Sequence, residues 1–223
     1  MKLLAIETAT ESCSVALSVH GELLSRSELA PRGHADLLLP WVTELLAEAE
    51  LKITGLDAIA FSRGPGSFTS LRIGIGVTQG LAWGADLPVV PVSSLQSTAQ
   101  SAAAHGVTSA IVALDARMNE VYCGSFQQDE SGLMRAVSKE MVCPPDRVTA
   151  FESKGWTGVG NGFERYEALV EYSKTLDAVR TDTWPSASSM ILLASDWLKD
   201  HDPVPAEQAQ AVYIRDQVAV KPA

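Results

Sequence analysis

The order of predicted elements occurs twice along this chain, and that duplication limits the possible folds more than any other feature. The first half opens with three predicted strands, over 3–7, 13–19 and 22–29. The second half opens with three more, over 110–115, 120–126 and 133–142. Each triplet alternates or runs apolar and is followed by helical sequence, beginning at His34 and near Pro145. Two such halves facing each other across a cleft predict an α/β architecture of two subdomains, 1–105 and 106–223.

The first predicted helix, over 34–50, has an unusually wide apolar arc. The spacing i, i+3, i+4, i+7 is followed by Leu38, Trp41, Val42 and Leu45. This arc is wider than packing on one sheet face requires, so we predict that these four side chains contribute to a contact with another molecule. Pro40 interrupts the run and predicts either a kink or a later helix start.

The second predicted helix, over 68–85, has a glycine every four residues, and we call these the glycine row: Gly76, Gly80 and Gly84. Ile73, Val77 and Leu81 lie beside the row. Each glycine costs about 1 kcal/mol relative to alanine inside a helix. Close approach of another helix backbone would offset that cost. The approaching helix could belong to this chain, but the neighbouring wide apolar arc favours a four-helix contact with another molecule.

A glycine-rich loop joins the predicted strand 56–62 to the second helix. It lacks the phosphate-loop pattern G-x-x-x-x-G-K-[ST], because neither the second glycine nor the lysine of that pattern is present at the required spacing. Two interpretations stay open. The loop is a connector with Ser67 or Thr69 as the helix cap, or backbone N–H groups around Gly64, Gly66 and Ser67 hold an anion.

An acid ends the first strand of each half, Glu7 and Asp115. Paired acids at matching strand ends could hold a metal ion or orient a phosphate, although acids are also common in turns. The run Gly158 to Gly162 either approaches a nucleotide or turns the chain, and the turn is favoured.

Residues that could catalyse a reaction are not brought together by any motif. The four histidines are far apart, no H-E-x-x-H or G-x-S-x-G pattern occurs, and His34 is predicted to be solvated at a helix start. The three cysteines lack a C-x-x-C pair, which predicts packing roles in a reducing cytosol. We therefore predict neither a catalytic group nor a metal site.

The balance of charge and hydrophobicity limits the partners. A net charge of −10 without a basic stripe argues against independent nucleic-acid binding, so any role on RNA would need a basic partner. The opening residues reach a charge too early for a signal peptide, and prolines break the longest weakly charged stretch, so no membrane span is predicted. The chain has 223 residues, of which 46% are hydrophobic, so it can bury a full core.

Several segments together are similar to one known family. They are LLAIETATESCSVAL, RGHADLLLP, GPGSFTSLRIG, ALDAR with EVY, and VYIRD. Their combination resembles the bacterial TsaB (YeaZ) family over nearly the whole chain. The resemblance implies the duplicated fold of actin-like ATPases, sugar kinases and heat-shock chaperones, which is ribonuclease H-like. Ser70 and Glu7 depart from the family pattern, where glycine and aspartate are usual at these positions.

The resemblance also implies a function. Members of the family are the non-catalytic partner of TsaD and work with the ATPase TsaE to make threonylcarbamoyladenosine beside the tRNA anticodon. ATP and metal are then handled by the partner subunits, and tRNA is reached only through the complex. TsaD has a metal-binding histidine pair spaced by four residues, whereas Leu38 lies four residues after His34 here.

The implied interface agrees with the residue patterns. Members of the family pair with themselves or with TsaD through the first two helices, so the two kinds of pairing would compete for one surface. Two alternatives remain. An active ATP-dependent phosphotransferase of the same fold would use Glu7, Asp115 and the glycines near Gly160. A metallopeptidase-like hydrolase would need a metal site.

Overall fold

Two sheets with the same strand order form the framework of the protein. The computed structural model describes residues 1–148 and 154–215. In the first half the elements are β1 Leu3–Glu7, β2 Ser12–Val19, β3 Glu22–Leu29, α1 His34–Glu48, β4 Ala58–Gly64, α2 Phe68–Ala85, β5 Val89–Ser93 and α3 Ser94–Ala103. Their sheet has the order β3-β2-β1-β4-β5.

The second half repeats this arrangement, although the strands after its first two are shorter. They are β6 Ser109–Asp115, β7 Val121–Gln128, β8 Met134–Ala136, β9 Met141–Cys143, β10 Thr157–Val159, α4 Gly162–Arg165, α5 Glu167–Ser173, β11 Ala178–Arg180 and α6 Ala187–Trp197. The sheet order is β11-β10-β6-β7-β8, and β9 also pairs with β7. In both sheets the first strand pairs antiparallel with the second and parallel with the strand that follows the triplet. The predicted duplication is thus confirmed.

The first sheet is covered on both faces. The core on one face joins Ile6, Val15 and Phe61 to side chains of α1 and α2. The core on the other face joins Leu3, Ala5 and Val90 to α6, which comes from the second half of the chain. The division into two subdomains at 105/106 stays a prediction, because α6 belongs to the second half of the chain but packs on the first sheet.

Several predicted elements differ from the observed ones. The strand predicted over 133–142 is two short strands, β8 and β9, because residues 137–140 form extra chain opposite only two residues of β7. In this interval Glu140 binds Arg63 and the Ser93 hydroxyl of the first half. Near Pro145 only the 3-10 turn Pro145–Arg147 is observed, and residues 149–153 lie outside the described residues. The helix predicted around 164–172 is interrupted at Tyr166, which has an extended backbone. Pro40 lies inside α1, so the later helix start is wrong.

The last described segment crosses both halves. Val204 pairs with Val89 of the first sheet, and the Val212 N–H donates to the Arg63 carbonyl at 2.8 Å. Arg215 then donates to the Glu120 carboxylate at 2.6 Å. Part of the VYIRD motif therefore ties the first half to the β6–β7 connection, while Asp216 lies outside the described residues. Within the described ranges, no helix has the length and apolar character needed to cross a bilayer.

Candidate functional site

The glycine row lies on an uncovered side of α2. Apart from the backbone of its own helix turn, a Cβ atom built at Gly76, Gly80 or Gly84 would have no described heavy atom within 4 Å. All three glycines are exposed. The alternative in which another helix of this chain packs on the row is therefore wrong for the residues that the structure describes. About 3 kcal/mol of helix propensity is given up along the row with no packing inside the described chain to offset it.

Three of the four predicted interface residues of α1 are core residues instead. Leu38 and Leu45 are completely buried, and Val42 is 2% exposed. All three belong to the cluster between α1, α2 and the first sheet. The prediction that they meet a partner is corrected, because the deepest part of the apolar arc faces the chain's own sheet.

The remaining predicted interface residues lie at the edge of that core. Trp41 is half-buried, and so are Ile73, Val77 and Leu81 of α2. Each packs against the core cluster with one side. Their partner contacts stay a prediction. Trp83, which the sequence reasoning did not single out, is 72% exposed near the end of α2.

The glycine-rich loop packs tightly on the turn between β1 and β2. The Ser67 N–H donates to the Ala9 carbonyl at 2.7 Å, and the Thr8 hydroxyl donates to the Ser70 carbonyl at 2.9 Å. A Cβ at Gly66 would stand 2.2 Å from the Ala9 carbonyl oxygen, which only glycine avoids. Ser67 occupies the N-cap position of α2 as predicted, but its side chain makes no cap bond to the backbone. One of the amides proposed to hold an anion, that of Ser67, is thus already used inside the chain.

Glu7 is completely buried beneath this turn. Its Oε1 accepts a 2.6 Å hydrogen bond from the Ala9 N–H. Burial raises the pKa of the Glu7 carboxyl to about 7, against the smaller lowering effects of the Ala9 and Thr8 amides and the Ser62 hydroxyl. The carboxylate is therefore enclosed and contacts the β1–β2 turn. That turn holds the start of α2.

Asp115 is engaged on several sides. Its side chain is only 4% exposed and lies 3.1 Å from Arg117 and 3.0 Å from Arg165. The Tyr166 hydroxyl donates to it at 2.6 Å. Desolvation, together with this hydrogen bond and the Asp115 charge, raises the pKa of Tyr166 to about 12, against the smaller lowering effects of Arg165 and Arg117. Asp115 thus ties the end of β6 to α4 and the start of α5. Sequence reasoning named the acid but missed Arg117, Arg165 and Tyr166.

The other glycine-rich run supports the predicted turn. A Cβ at Gly160 would stand 2.6 Å from the Ala113 carbonyl oxygen, and one at Gly162 would stand 2.8 Å from it. Gly160 also has a φ of +104°, which favours glycine. Both glycines are therefore explained by close packing of the turn on β6.

The prediction of a solvated His34 is wrong. Its side chain is 2% exposed, and Nε2 lies 3.0 Å from the Thr10 carbonyl oxygen. The ring therefore fastens the β1–β2 turn to the start of α1. In the described part of the chain no three His, Cys, Asp or Glu side chains are grouped as a metal ion would require.

The paired sheets, with equal strand order and helices on both faces, define the duplicated actin-like, ribonuclease H-like fold. The family model described as "TsaD: tRNA N6-adenosine threonylcarbamoyltransferase" matches residues 26–193. The TsaB protein of Escherichia coli (strain K12), a tRNA threonylcarbamoyladenosine biosynthesis protein, is 40% identical over 99% of this chain and 97% of its own length. The Haemophilus influenzae TsaB protein is 38% identical over 99% and 96%.

A solved structure agrees with these sequence comparisons. YeaZ from Pseudomonas aeruginosa has a TM-score of 0.86 and 42% identity, covering 95% of this chain and 99% of its own. The chain therefore belongs to the TsaB (YeaZ) family and is related to proteins of threonylcarbamoyladenosine biosynthesis.

Proposed function

We propose that this chain is a non-catalytic scaffold subunit that binds TsaD. With TsaE, the complex would transfer the threonylcarbamoyl group from threonylcarbamoyl-AMP to N6 of the adenosine beside the anticodon, in tRNAs that read codons beginning with A. The names of the E. coli and H. influenzae relatives support this pathway. The open surface of α2 and the contacts of Glu7 and Asp115 support the subunit role.

The observation that carries the proposal is the open glycine row. Three exposed glycines in one helix weaken it, and no atom of the described chain approaches a Cβ position on any of them. A partner helix that lies directly on this bare backbone would offset the cost by close packing. On α2 the half-buried Ile73, Val77 and Leu81 lie beside the row, and the half-buried Trp41 adds apolar area on the neighbouring helix α1.

The carboxylates favour a scaffold over a phosphotransferase. Asp115 already pairs with two arginines and a tyrosine, and Glu7 is enclosed under the β1–β2 turn. A phosphotransferase of this fold would need both acids to face the nucleotide and its metal ion. The hydrolase alternative would need a metal site, such as a histidine pair spaced by four residues. Here His34 donates to a backbone carbonyl, and the residue four positions later is Leu38, which is buried in the core.

The partner subunits and the cellular location complete the proposed function. TsaD and TsaE would handle ATP and metal, so this chain would need no cofactor of its own. Contact with tRNA would come through the complex, since the charge of −10 opposes independent binding to phosphates. Self-pairing would use the same α1–α2 face and compete with TsaD. We place the protein in the cytoplasm, where its three free, buried cysteines would stay reduced.

Reconstitution with purified components tests this function. We expect threonylcarbamoyladenosine to form on tRNA from threonylcarbamoyl-AMP only when TsaD, TsaE and this chain are all present. The chain alone should turn over ATP far below a kinase rate of roughly 1 per second. Product formation at the full rate without the chain, or kinase-like turnover by the chain alone, would contradict the proposal.

A further inference from the structure

A groove of about 700 Å³ lies beside the last turn of α2. It is lined by Trp83, by Pro88, and by Pro203 and Pro205 of the segment that follows α6. Trp83 is 72% exposed, and the residues on either side of each of these segments belong to the described chain. The volume is within the range of sites that enclose a side chain or a small ligand, roughly 300 to 1,000 Å³.

The segment 203–209 is held in place from two sides. Val204 exchanges two backbone hydrogen bonds with Val89 at the edge of the first sheet, at 2.7 and 3.0 Å. The Gln79 side-chain amide of α2 donates to the Ala209 carbonyl at 2.9 Å. The prolines further restrict the backbone of this segment. The groove is therefore formed before any ligand arrives, so binding does not have to order its walls.

The charged residues that line the groove are both acidic, Asp86 and Glu207. Both are exposed, and within the described chain neither carboxylate accepts a hydrogen bond or forms an ion pair. Asp86 is the C-cap of α2, where the helix dipole leaves a partial negative charge, and the last turn of α2 has no basic residue. An acid at this helix end is unfavourable, and a cation bound in the groove would offset the repulsion.

The exposed indole of Trp83 distinguishes between kinds of cation. An indole face attracts cations, and guanidinium groups occupy such positions more often than ammonium groups. A guanidinium also presents a planar fork of donors that matches the oxygens of carboxylates. An arginine side chain would therefore use the indole of Trp83 and the carboxylates of Asp86 and Glu207 together.

The position of Trp83 on α2 indicates where that arginine comes from. Trp83 is seven residues after Gly76 and three after Gly80, so these three positions lie on one side of the helix. Both glycines are open to a partner. A helix that packs on them reaches Trp83 at the end of α2 and comes beside the groove.

We propose that the groove binds an arginine side chain of the partner that covers α2. This inference rests on the proposed function, in which that partner is TsaD. The arginine stacks on Trp83 and pairs with Asp86 and Glu207, so the contact with TsaD extends past the end of α2 to the segment 203–207.

Binding of TsaD to Trp83 variants tests the stacking contact. Trp83→Ala should weaken binding about tenfold to a hundredfold, as for a tryptophan at the centre of an interface. Trp83→Phe keeps an aromatic face, and we expect an intermediate loss. Leu192→Ala, which truncates an exposed apolar side chain of α6, is the matched control and should bind normally. Affinity is measured by calorimetry, and thermal unfolding shows that each variant is folded.

Removal of the two carboxylates tests the charge of the occupant. Asp86→Asn combined with Glu207→Gln should weaken TsaD binding about tenfold, as expected for charge-assisted hydrogen bonds. The affinity of this variant should also fall less steeply with salt, because the charge pairs that salt screens are absent. Glu130→Gln combined with Asp182→Asn removes two exposed acids of the second half and should change neither quantity.

Substitutions in TsaD identify the occupant. Each TsaD arginine is changed to glutamine and measured against the unaltered chain and against Trp83→Ala. One of these changes should weaken binding to the unaltered chain and have a much smaller effect on Trp83→Ala, because the effects of two residues in contact are not additive. The absence of coupling for every TsaD arginine would overturn the inference.

The outcomes separate the groove from the wider function. If Gly80→Leu abolishes TsaD binding and Trp83→Ala binds normally, the inference is wrong and the proposed function stands. If the unaltered chain and TsaD do not associate, both fall. Loss of only self-association in Trp83→Ala would overturn the inference, since a second copy would then be the occupant. Tighter TsaD binding by Lys221→Gln would also overturn it, because the chain's own end would then compete for the groove.

Discussion

Replacing Gly80 with leucine is expected to weaken binding to TsaD by about tenfold to more than a hundredfold while the chain stays folded. Overpacking of a tight contact costs about 1 to 3 kcal/mol, and each 1.4 kcal/mol is a factor of ten in affinity. No described atom lies within 4 Å of the Cβ position, so the monomer can accept the side chain. Its stability should be unchanged or slightly higher, because leucine has the better helix propensity.

The measurement combines affinity and product formation. Calorimetry with TsaD gives the dissociation constant, and the reconstituted reaction gives the yield of threonylcarbamoyladenosine, which should fall with the affinity. Ala168→Leu is a matched control, since it adds a leucine to an exposed position of α5 in the second half. A Gly80→Leu chain that unfolds would mean that the row packs within this chain. One that binds TsaD normally would move the interface away from α2.

Replacing Glu7 with glutamine is expected to change how stability depends on pH. The pKa of Glu7 is raised from 4.5 to about 7 in the folded chain. Between these values the folded state binds more protons than the unfolded state, so unfolding free energy falls as pH rises. Above pH 7 this loss of unfolding free energy is complete. It amounts to about 3 kcal/mol, since each unit by which the pKa is raised corresponds to about 1.36 kcal/mol. Glutamine stays uncharged and keeps an oxygen for the Ala9 N–H.

Denaturant unfolding of both chains across this window checks the prediction. Glu7→Gln should be about 3 kcal/mol more stable than the unaltered chain at pH 8 and about equal to it near pH 4.5. Glu130→Gln, at an exposed position, should follow the unaltered chain throughout. Equal pH slopes for the unaltered chain and Glu7→Gln would show that the Glu7 carboxylate is not enclosed as the structure indicates.

Sequence patterns predicted the elements whose signals are local. Strands β1 and β3 and helix α2 have the predicted bounds, because alternation, a His20-Gly21 turn and helix periodicity are each present in short windows. The repeated order of elements likewise predicted two sheets of equal topology. Spacing alone predicted the glycine row on α2 and left open whether a helix of this chain covers it, and only the structure shows that no part of the described chain does.

The missed features depend on contacts between distant segments. Nothing near Glu140 indicates that it binds Arg63, 77 residues away, in the interval between β8 and β9. The burial of His34 depends on the Thr10 carbonyl, 24 residues earlier. A wide apolar arc also cannot show which part faces the chain's own sheet, so Leu38, Val42 and Leu45 were assigned to a partner.

Hydrogen exchange of the chain with and without TsaD shows whether α2 binds the partner, because it locates the partner on the surface. We expect a stable complex in which exchange slows in peptides from α1 and α2, most of all over 68–85. Exchange in α5, over 167–173, should not change. A stable complex that slows exchange only in the second half, with α2 unaffected, would contradict the account, as would the absence of any complex.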